Sequence, residues 1–168
     1  MRAGYAQVAD LRSVLARARQ LSVRTIIFDV EPLVAWWDGG QQALDQGVAA
    51  IVAELDAVPE LQVLVFATNS ARRPTQIPSA PGVRVRYLAS AGKPLRTAPY
   101  QDLPKPWAVV GDQVLTDGLL AFRLGCTFLH WDPPLARVPL GPRVLHLLGR
   151  LARPLFFRRS PAPGQAPP

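Results

Sequence analysis

The chain has 168 residues and a single cysteine, Cys126, so its length allows a core of its own, while an internal disulfide framework and a cysteine-cluster metal site are excluded. The net charge of +7 is concentrated at the ends, since residues 1–24 hold five arginines and one acid, and residues 133–168 hold six arginines and no acid. Such basic ends indicate either contact with phosphates, of lipid or nucleic acid, or a solvated face that aids solubility.

Helices and strands are predicted to alternate along the first half of the chain. Apolar residues at helical spacing between arginines predict an amphipathic N-terminal helix within 1–22. A buried strand is predicted at 23–29, a helix at 41–57 that ends before Pro59, and a second buried strand at 62–67. The N-terminal segment has no continuous apolar block, so neither a signal peptide nor a membrane span is expected, and we expect a cytoplasmic protein.

The alternation continues through the second half of the chain. A half-exposed strand is predicted at 83–88, and the proline-rich segment after it is too broken for more than a helical turn or two. A strand at 107–112, a helix that ends at Gly125 and a strand at 126–131 complete the pattern. Strands that alternate with helices are typical of βαβ units, so we expect an α/β core at 23–132, a three-layer, Rossmann-like fold with a parallel sheet.

The C-terminal region predicts a basic amphipathic helix at 140–157, with apolar residues on one side, arginines elsewhere, and Pro154 expected to kink or end it. Two interpretations stay open for this helix. It is either an interfacial or partner-binding element, with peripheral membrane contact through 142–159 at the inner membrane face, or a helix that packs on the sheet. The proline-rich segment 158–168 is predicted to be a disordered tail.

Polar residues follow three of the predicted strands at the point where each strand ends. Asp29, Thr68 and Asp112 hold these positions. Ligands of open parallel sheets bind beyond the carboxyl ends of the strands, so we expect these side chains to converge on one small volume. The interval between Asp29 and Thr68 is short and mostly helical, which leaves no room for a large cap domain.

Four short motifs occur in order at these strand ends: FDVE at 28–31, FATNS at 66–70, GKP at 92–94 and GDQVLTD at 111–117. This arrangement resembles the haloacid dehalogenase-like (HAD) superfamily of phosphohydrolases. The likeness is greatest to the capless branch of YqeG-like and phosphatidylglycerophosphate phosphatase-like proteins, and GDQVLTD is its strongest part. The resemblance covers roughly residues 20–132 and implies a HAD-like fold and a phosphatase activity.

The resemblance implies a metal-dependent nucleophile. Asp29 matches the aspartate that forms an aspartyl-phosphate, and because its own charge repels a phosphate, a Mg²⁺ cofactor is implied. The metal ligands implied are Asp29 and Asp112 through their carboxylates, Glu31 through its main-chain carbonyl, and Asp117 directly or through water. Helix capping is the alternative role for Asp112 or Asp117.

The resemblance also implies a set of phosphate contacts. The residues implied to bind phosphate are Thr68 through its hydroxyl, Asn69 and Ser70 through their amides, and Lys93 through its charge. With Asp29 and Glu31, Thr68 and Lys93 complete the implied catalytic set. The alternatives are an ordinary turn residue for Thr68 and a solvated loop for Lys93. His130 and His146 are predicted to be structural.

Two positions depart from the family pattern, which reads Asp-x-Asp-x-Thr where this chain has Asp29-Val30-Glu31-Pro32-Leu33. Glu31 stands in the place of the acid–base residue, and its extra methylene moves the carboxyl group by about 1.5 Å, a displacement that can cost roughly a hundredfold in rate. The sequence therefore predicts either a phosphatase of reduced activity or a HAD-fold module that binds a phosphate ligand, membrane or RNA without turnover. An uncapped cleft favours a bulky or membrane-borne phosphate such as a lipid headgroup, and no motif supports nucleic acid as a partner.

Overall fold

The centre of the fold is a seven-stranded sheet in which every neighbouring pair of strands is parallel. The structure is a computed structural model that describes residues 3–134 and 138–159. The strands are β1 (Ala3–Val8), β2 (Thr25–Asp29), β3 (Val63–Ala67), β4 (Arg84–Leu88), β5 (Trp107–Gly111), β6 (Thr127–Trp131) and β7 (Phe157–Arg159). Their spatial order is β4-β3-β2-β5-β6-β1-β7, which confirms the predicted α/β class with a parallel sheet.

Helices cover both faces of the sheet, so the architecture has three layers. The helices are α1 (Leu11–Gln20), α2 (Gln41–Ala53), α3 (Leu119–Leu124) and α4 (Leu140–Phe156), with a π-helical turn at Val114–Gly118 before α3. One core lies between the sheet and α1 and α2, and the other lies on the side of α3. Strands β2, β3 and β5 are buried along their whole length because side chains that alternate between the faces enter a core on either side.

The N-terminal segment differs from the prediction. Ala3–Val8 form strand β1, which pairs with β6 and β7, so the predicted helix is wrong for these residues and the sheet extends beyond 23–132. The helix begins only at Leu11, because Asp10 caps it: the Ser13 amide donates to Asp10 Oδ1 at 2.7 Å. Six residues are too few for the spacing of apolar side chains to separate a strand from a helix, so the pairing with distant β6 decided the outcome.

The C-terminal region also differs in part. Pro154 lies inside α4, and the helix continues to Phe156. The proline therefore does not end the helix. Residues 158 and 159 belong to β7 and contradict the predicted tail there, while 160–168 lie outside the described residues. Within the described part of the chain, no helix has the length and apolar character that crossing a membrane requires.

Gly125 ends α3 as predicted, and its φ of 66° lies in the left-handed region. A Cβ added there would meet no atom within 4 Å, so the only cost of a side chain is the backbone conformation itself. We expect Gly125→Ala to lower the free energy of unfolding by about 1 kcal/mol in urea denaturation.

The matched control is Gly141→Ala in α4, where an added Cβ also meets nothing within 4 Å but the backbone is helical. This control should leave stability unchanged or raise it by about 0.5–1 kcal/mol. Equal effects of the two substitutions would contradict the assignment of the strain to Gly125.

Candidate functional site

A small cleft lies at the carboxyl edge of the sheet, where the ends of β2, β3 and β5 meet. Its volume is about 230 Å³. Six of the predicted site residues line it: Asp29, Glu31, Thr68, Asn69, Ser70 and Lys93. Asp112 and Asp117 are fully buried next to these residues. The convergence expected from the strand ends is therefore what the fold produces.

Three carboxylates from two parts of the chain form one buried cluster. Asp29, Asp112 and Asp117 each offer an oxygen, and these oxygens all lie within 4.8 Å of one another. Burial, and then the neighbouring charge of Asp117, raise the pKa of the Asp29 carboxyl well above its ordinary value. Burial also raises the pKa of the Asp112 carboxyl to about 6. Buried like charges at this separation are unfavourable unless a cation compensates them.

Lys93 supplies one such cation. Its Nζ donates to Asp29 Oδ1 at 2.7 Å and to Asp117 Oδ1 at 2.6 Å. Burial opposes the charge, but the carboxylates of Asp117 and Asp29 outweigh it and raise the pKa of Lys93 above its ordinary value. The alternative of a solvated loop for Lys93 is thereby wrong, since the residue is only 7% exposed.

Asn69 holds the main chain at Lys93 in place. The Lys93 amide donates to Asn69 Oδ1 at 2.8 Å, and Asn69 Nδ2 donates to the Lys93 carbonyl at 2.9 Å. This reciprocal pair joins the turn after β3 to the loop after β4. The proline-rich segment therefore needs no long helix to position its lysine, and a single helical turn, Ala98–Tyr100, follows it.

Asp112 retains one oxygen without a partner. Its Oδ2 lies 2.8 Å from His146 Nε2, whereas its Oδ1 is buried and has no hydrogen-bond partner among the described residues. A buried carboxylate oxygen without a donor is costly, so an oxygen in this state suits a bound cation. The residue before Asp112 is Gly111, and only glycine fits there because a Cβ would clash with the Asp117 carboxylate.

The carboxylate of Glu31 faces the turn after β3. The Thr68 hydroxyl donates to Glu31 Oε2 at 2.6 Å, and the Ser70 hydroxyl donates to Oε1 at 3.2 Å. Arg72 Nη1 lies 3.5 Å from the same Oε1 and also donates to the Trp36 carbonyl at 3.1 Å. Thr68 is thus more than an ordinary turn residue, because its hydroxyl orients the acid predicted to act in proton transfer.

Sequence reasoning missed Arg72 and His146, and it assigned no role to Gln113 and Thr116, which line the cleft. Arg72 lies two residues after the FATNS motif, and its charge beside a predicted phosphate turn was the available signal. His146 was predicted to be structural, but it lies buried on α4 with its ring against the Asp112 carboxylate. No local pattern marks it, because only the packing of α4 brings it to a residue 34 positions earlier.

His130 is structural, as predicted. Its Nε2 donates to the Asp112 carbonyl at 2.9 Å, so its Nδ1 accepts from the Tyr5 hydroxyl at 2.8 Å. Burial lowers the pKa of His130, in agreement with a neutral ring. His130, Asp132 and His146 also lie close enough to hold an ion, but both nitrogens of His130 already have partners.

The structure brings all the predicted site residues to one edge of the sheet. All eight contribute side chains to the contacts above: Asp29, Glu31, Thr68, Asn69, Ser70, Lys93, Asp112 and Asp117. The amide of Ser70 donates to Thr68 Oγ1 at 2.9 Å.

No family model, curated protein or solved structure matches this chain.

Proposed function

We propose that the protein is a Mg²⁺-dependent phosphomonoester hydrolase of the HAD type, without a large cap domain, and that Asp29 is its nucleophile. One observation carries the proposal: Asp29, Asp112 and Asp117 form a buried cluster beside a small cleft, with Lys93 bonded to two of them. A buried constellation of this kind is unfavourable for stability alone and is typical of sites that handle charge.

The donor set suits a hard divalent cation. Carboxylate oxygens are the ligands that Mg²⁺ prefers, and the unpartnered Asp112 Oδ1 is free to accept it. The residues that would hold the ion are Asp29, Asp112 and Asp117, with the main-chain carbonyl of Glu31. When bound, Mg²⁺ would offset the negative charges that otherwise keep a phosphate away from Asp29.

Each side chain has a role in the proposed reaction. The described contacts of Asp29 involve only Oδ1, which accepts from Lys93 and from the Val30 amide at 2.8 Å, so Oδ2 is the oxygen available for attack. As the bond from Asp29 Oδ2 to phosphorus forms, the bond to the leaving group breaks and Glu31 donates a proton to the departing oxygen. Glu31 then takes a proton from water, which attacks the phosphorus and frees Asp29. Lys93 orients the phosphoryl group, and the Thr68 hydroxyl does so after it exchanges Glu31 for a phosphate oxygen.

A second function is favoured by the contacts of Glu31. Thr68, Ser70 and Arg72 hold its carboxylate on one side of the cleft, and a glutamate held there is poorly placed to follow the proton. The second candidate is a module of the same fold that binds a phosphate-bearing ligand without turnover.

Incubation of the purified protein with an aryl phosphate tests the two candidates. Phosphate release that requires Mg²⁺ and stops on chelation supports the hydrolase. Absence of release from any phosphate ester, with Mg²⁺-dependent binding of the phosphate mimic BeF₃⁻, supports the binding module. Absence of both release and binding would overturn both candidates.

His146 is expected to orient Asp112 for the metal. The ring holds Oδ2 and leaves Oδ1 without a hydrogen-bond partner among the described residues, and partners of this kind typically contribute about tenfold or more to metal affinity. We therefore expect His146→Gln to weaken Mg²⁺ binding by about tenfold in calorimetric titration.

The control is Arg150→Gln on the same helix, where the side chain is exposed and its described contacts are with Asp132. This variant should bind Mg²⁺ as the unmodified protein does. A folded His146→Gln variant with unchanged Mg²⁺ affinity would refute the orienting role.

A further inference from the structure

Helix α4 carries an apolar stripe that no described residue covers. Its members lie 50–79% exposed, and they are Leu140, Val144, Leu147, Leu148, Leu151 and Leu155. Their spacing of three and four positions places them on one side of the helix. We call this surface the α4 stripe. A contiguous exposed apolar surface formed by six large side chains usually marks an interaction site.

The opposite side of α4 holds the helix on the core. His146 and Gly149 are buried there, and a Cβ on Gly149 would come within 2.9 Å of Val114 Cβ. Arg153 lies over the Tyr5 ring and donates to its hydroxyl at 3.2 Å. The stripe is therefore not the surface that attaches α4 to the sheet. The interpretation of a helix packed on the core holds for one side, and the interfacial or partner-binding interpretation stays a prediction for the other.

The charges around the α4 stripe indicate what covers it. The helix contains three arginines and no acid, and the whole segment 133–168 has no acid. Arg143 and Arg150 follow the stripe along one flank by helical spacing. Arg150 remains half exposed although it pairs with Asp132, whereas Arg143 is partly buried and donates to the Val138 carbonyl at 2.9 Å, so Arg150 is the more accessible of the two cations. A second copy docked stripe to stripe would bring arginines together without acids from this segment. An anionic bilayer complements both the leucines and the arginines.

We propose that the α4 stripe docks on an anionic lipid surface. The helix lies in the plane of the interface, its leucines enter the boundary of the acyl chains, and Arg143 and Arg150 face the headgroup phosphates. Attachment is peripheral and reversible. The proposal goes beyond the proposed function and is independent of it, because docking requires neither Asp29 nor a substrate.

Sedimentation of the full chain with vesicles tests the proposal. The protein is mixed with vesicles of phosphatidylcholine alone or of equimolar phosphatidylcholine and phosphatidylglycerol. We expect binding to the anionic vesicles, and a loss of roughly fivefold in affinity for each arginine replaced by glutamine at 143 or 150. A double variant, Leu147→Glu with Leu151→Glu, should lose at least about tenfold.

Two exposed apolar residues outside α4 provide the matched control. Ile77 and Leu95 are 50% and 74% exposed, close to the 51% and 79% of Leu147 and Leu151. Ile77→Glu with Leu95→Glu adds the same charge and removes similar exposed apolar surface, so its vesicle binding should fall only by the small effect of net charge. Circular dichroism confirms that both double variants fold.

Three outcomes would overturn the proposal. The unmodified protein fails to bind anionic vesicles, or the stripe variant binds them as tightly as the control variant. The third is that the unmodified protein does not bind vesicles but forms a stable dimer in analytical ultracentrifugation, and that the stripe variant is a monomer while the control variant stays a dimer. This result would make a second copy the occupant of the α4 stripe. Vesicle binding without phosphatase turnover would leave the docking proposal standing and count against the hydrolase only.

Discussion

Replacement of Asp29 by Asn is expected to abolish phosphate release, with turnover at least about a thousandfold below that of the unmodified protein. The amide has nearly the same shape as the carboxylate but cannot form the phosphoryl ester, so the nucleophile is lost while the cleft is retained. The measurement is the steady-state rate with an aryl phosphate at saturating Mg²⁺.

Asp102→Asn is the control for the same chemical change. Asp102 is exposed, contacts Arg86 at 3.9 Å and is not among the residues that line the cleft, so its amide variant should keep full activity. An Asp29→Asn variant that retains the turnover of the control would show that another group attacks the phosphorus, and the proposed mechanism would be wrong.

Replacement of Lys93 by Met is expected to destabilise the metal-free protein by about 3–5 kcal/mol. Lys93 bonds Asp29 and Asp117 at 2.7 and 2.6 Å, so its removal leaves buried carboxylates without their cation. The measurement is urea unfolding in the presence of a chelator. Because a divalent ion compensates the same charges, saturating Mg²⁺ should restore a large part of the lost stability.

The chain offers a matched control, since its other lysine is Lys105. That residue is exposed and lies 4.8 Å from the centre of the Trp107 ring, so Lys105→Met should change stability by no more than about 1 kcal/mol. If Lys93→Met were as stable as Lys105→Met in the chelator, the charge balance assigned to the buried cluster would be incorrect.

The candidate site could be predicted in large part because its chemistry follows strand ends. Asp29 ends β2, Thr68 follows β3 and Asp112 follows β5, and parallel strands place their carboxyl ends at one edge of the sheet. The contacts of Lys93 were less accessible from sequence. Its loop is broken by prolines, and only the reciprocal bonds with Asn69 show how that loop reaches the cluster.

Two predictions failed or fell short for the same physical reason. Residues Ala3–Val8 form a strand because β6, more than a hundred residues later, supplies their partners. His146 reaches Asp112 only because the buried side of α4, opposite the α4 stripe, packs against Val114. Contacts between distant segments leave no signature in local apolar spacing.

The sequence by itself determined the buried strands β2, β3 and β5, the parallel α/β class and the positions of the acids at strand ends. Continuous apolar runs and the residues that terminate them carry that information locally. The tertiary structure alone decided the strand at the N-terminus, the enclosure of Lys93 between two carboxylates, and the side of α4 that meets the core. These depend on which distant surfaces pack together, and packing is settled by the whole chain rather than by any one segment.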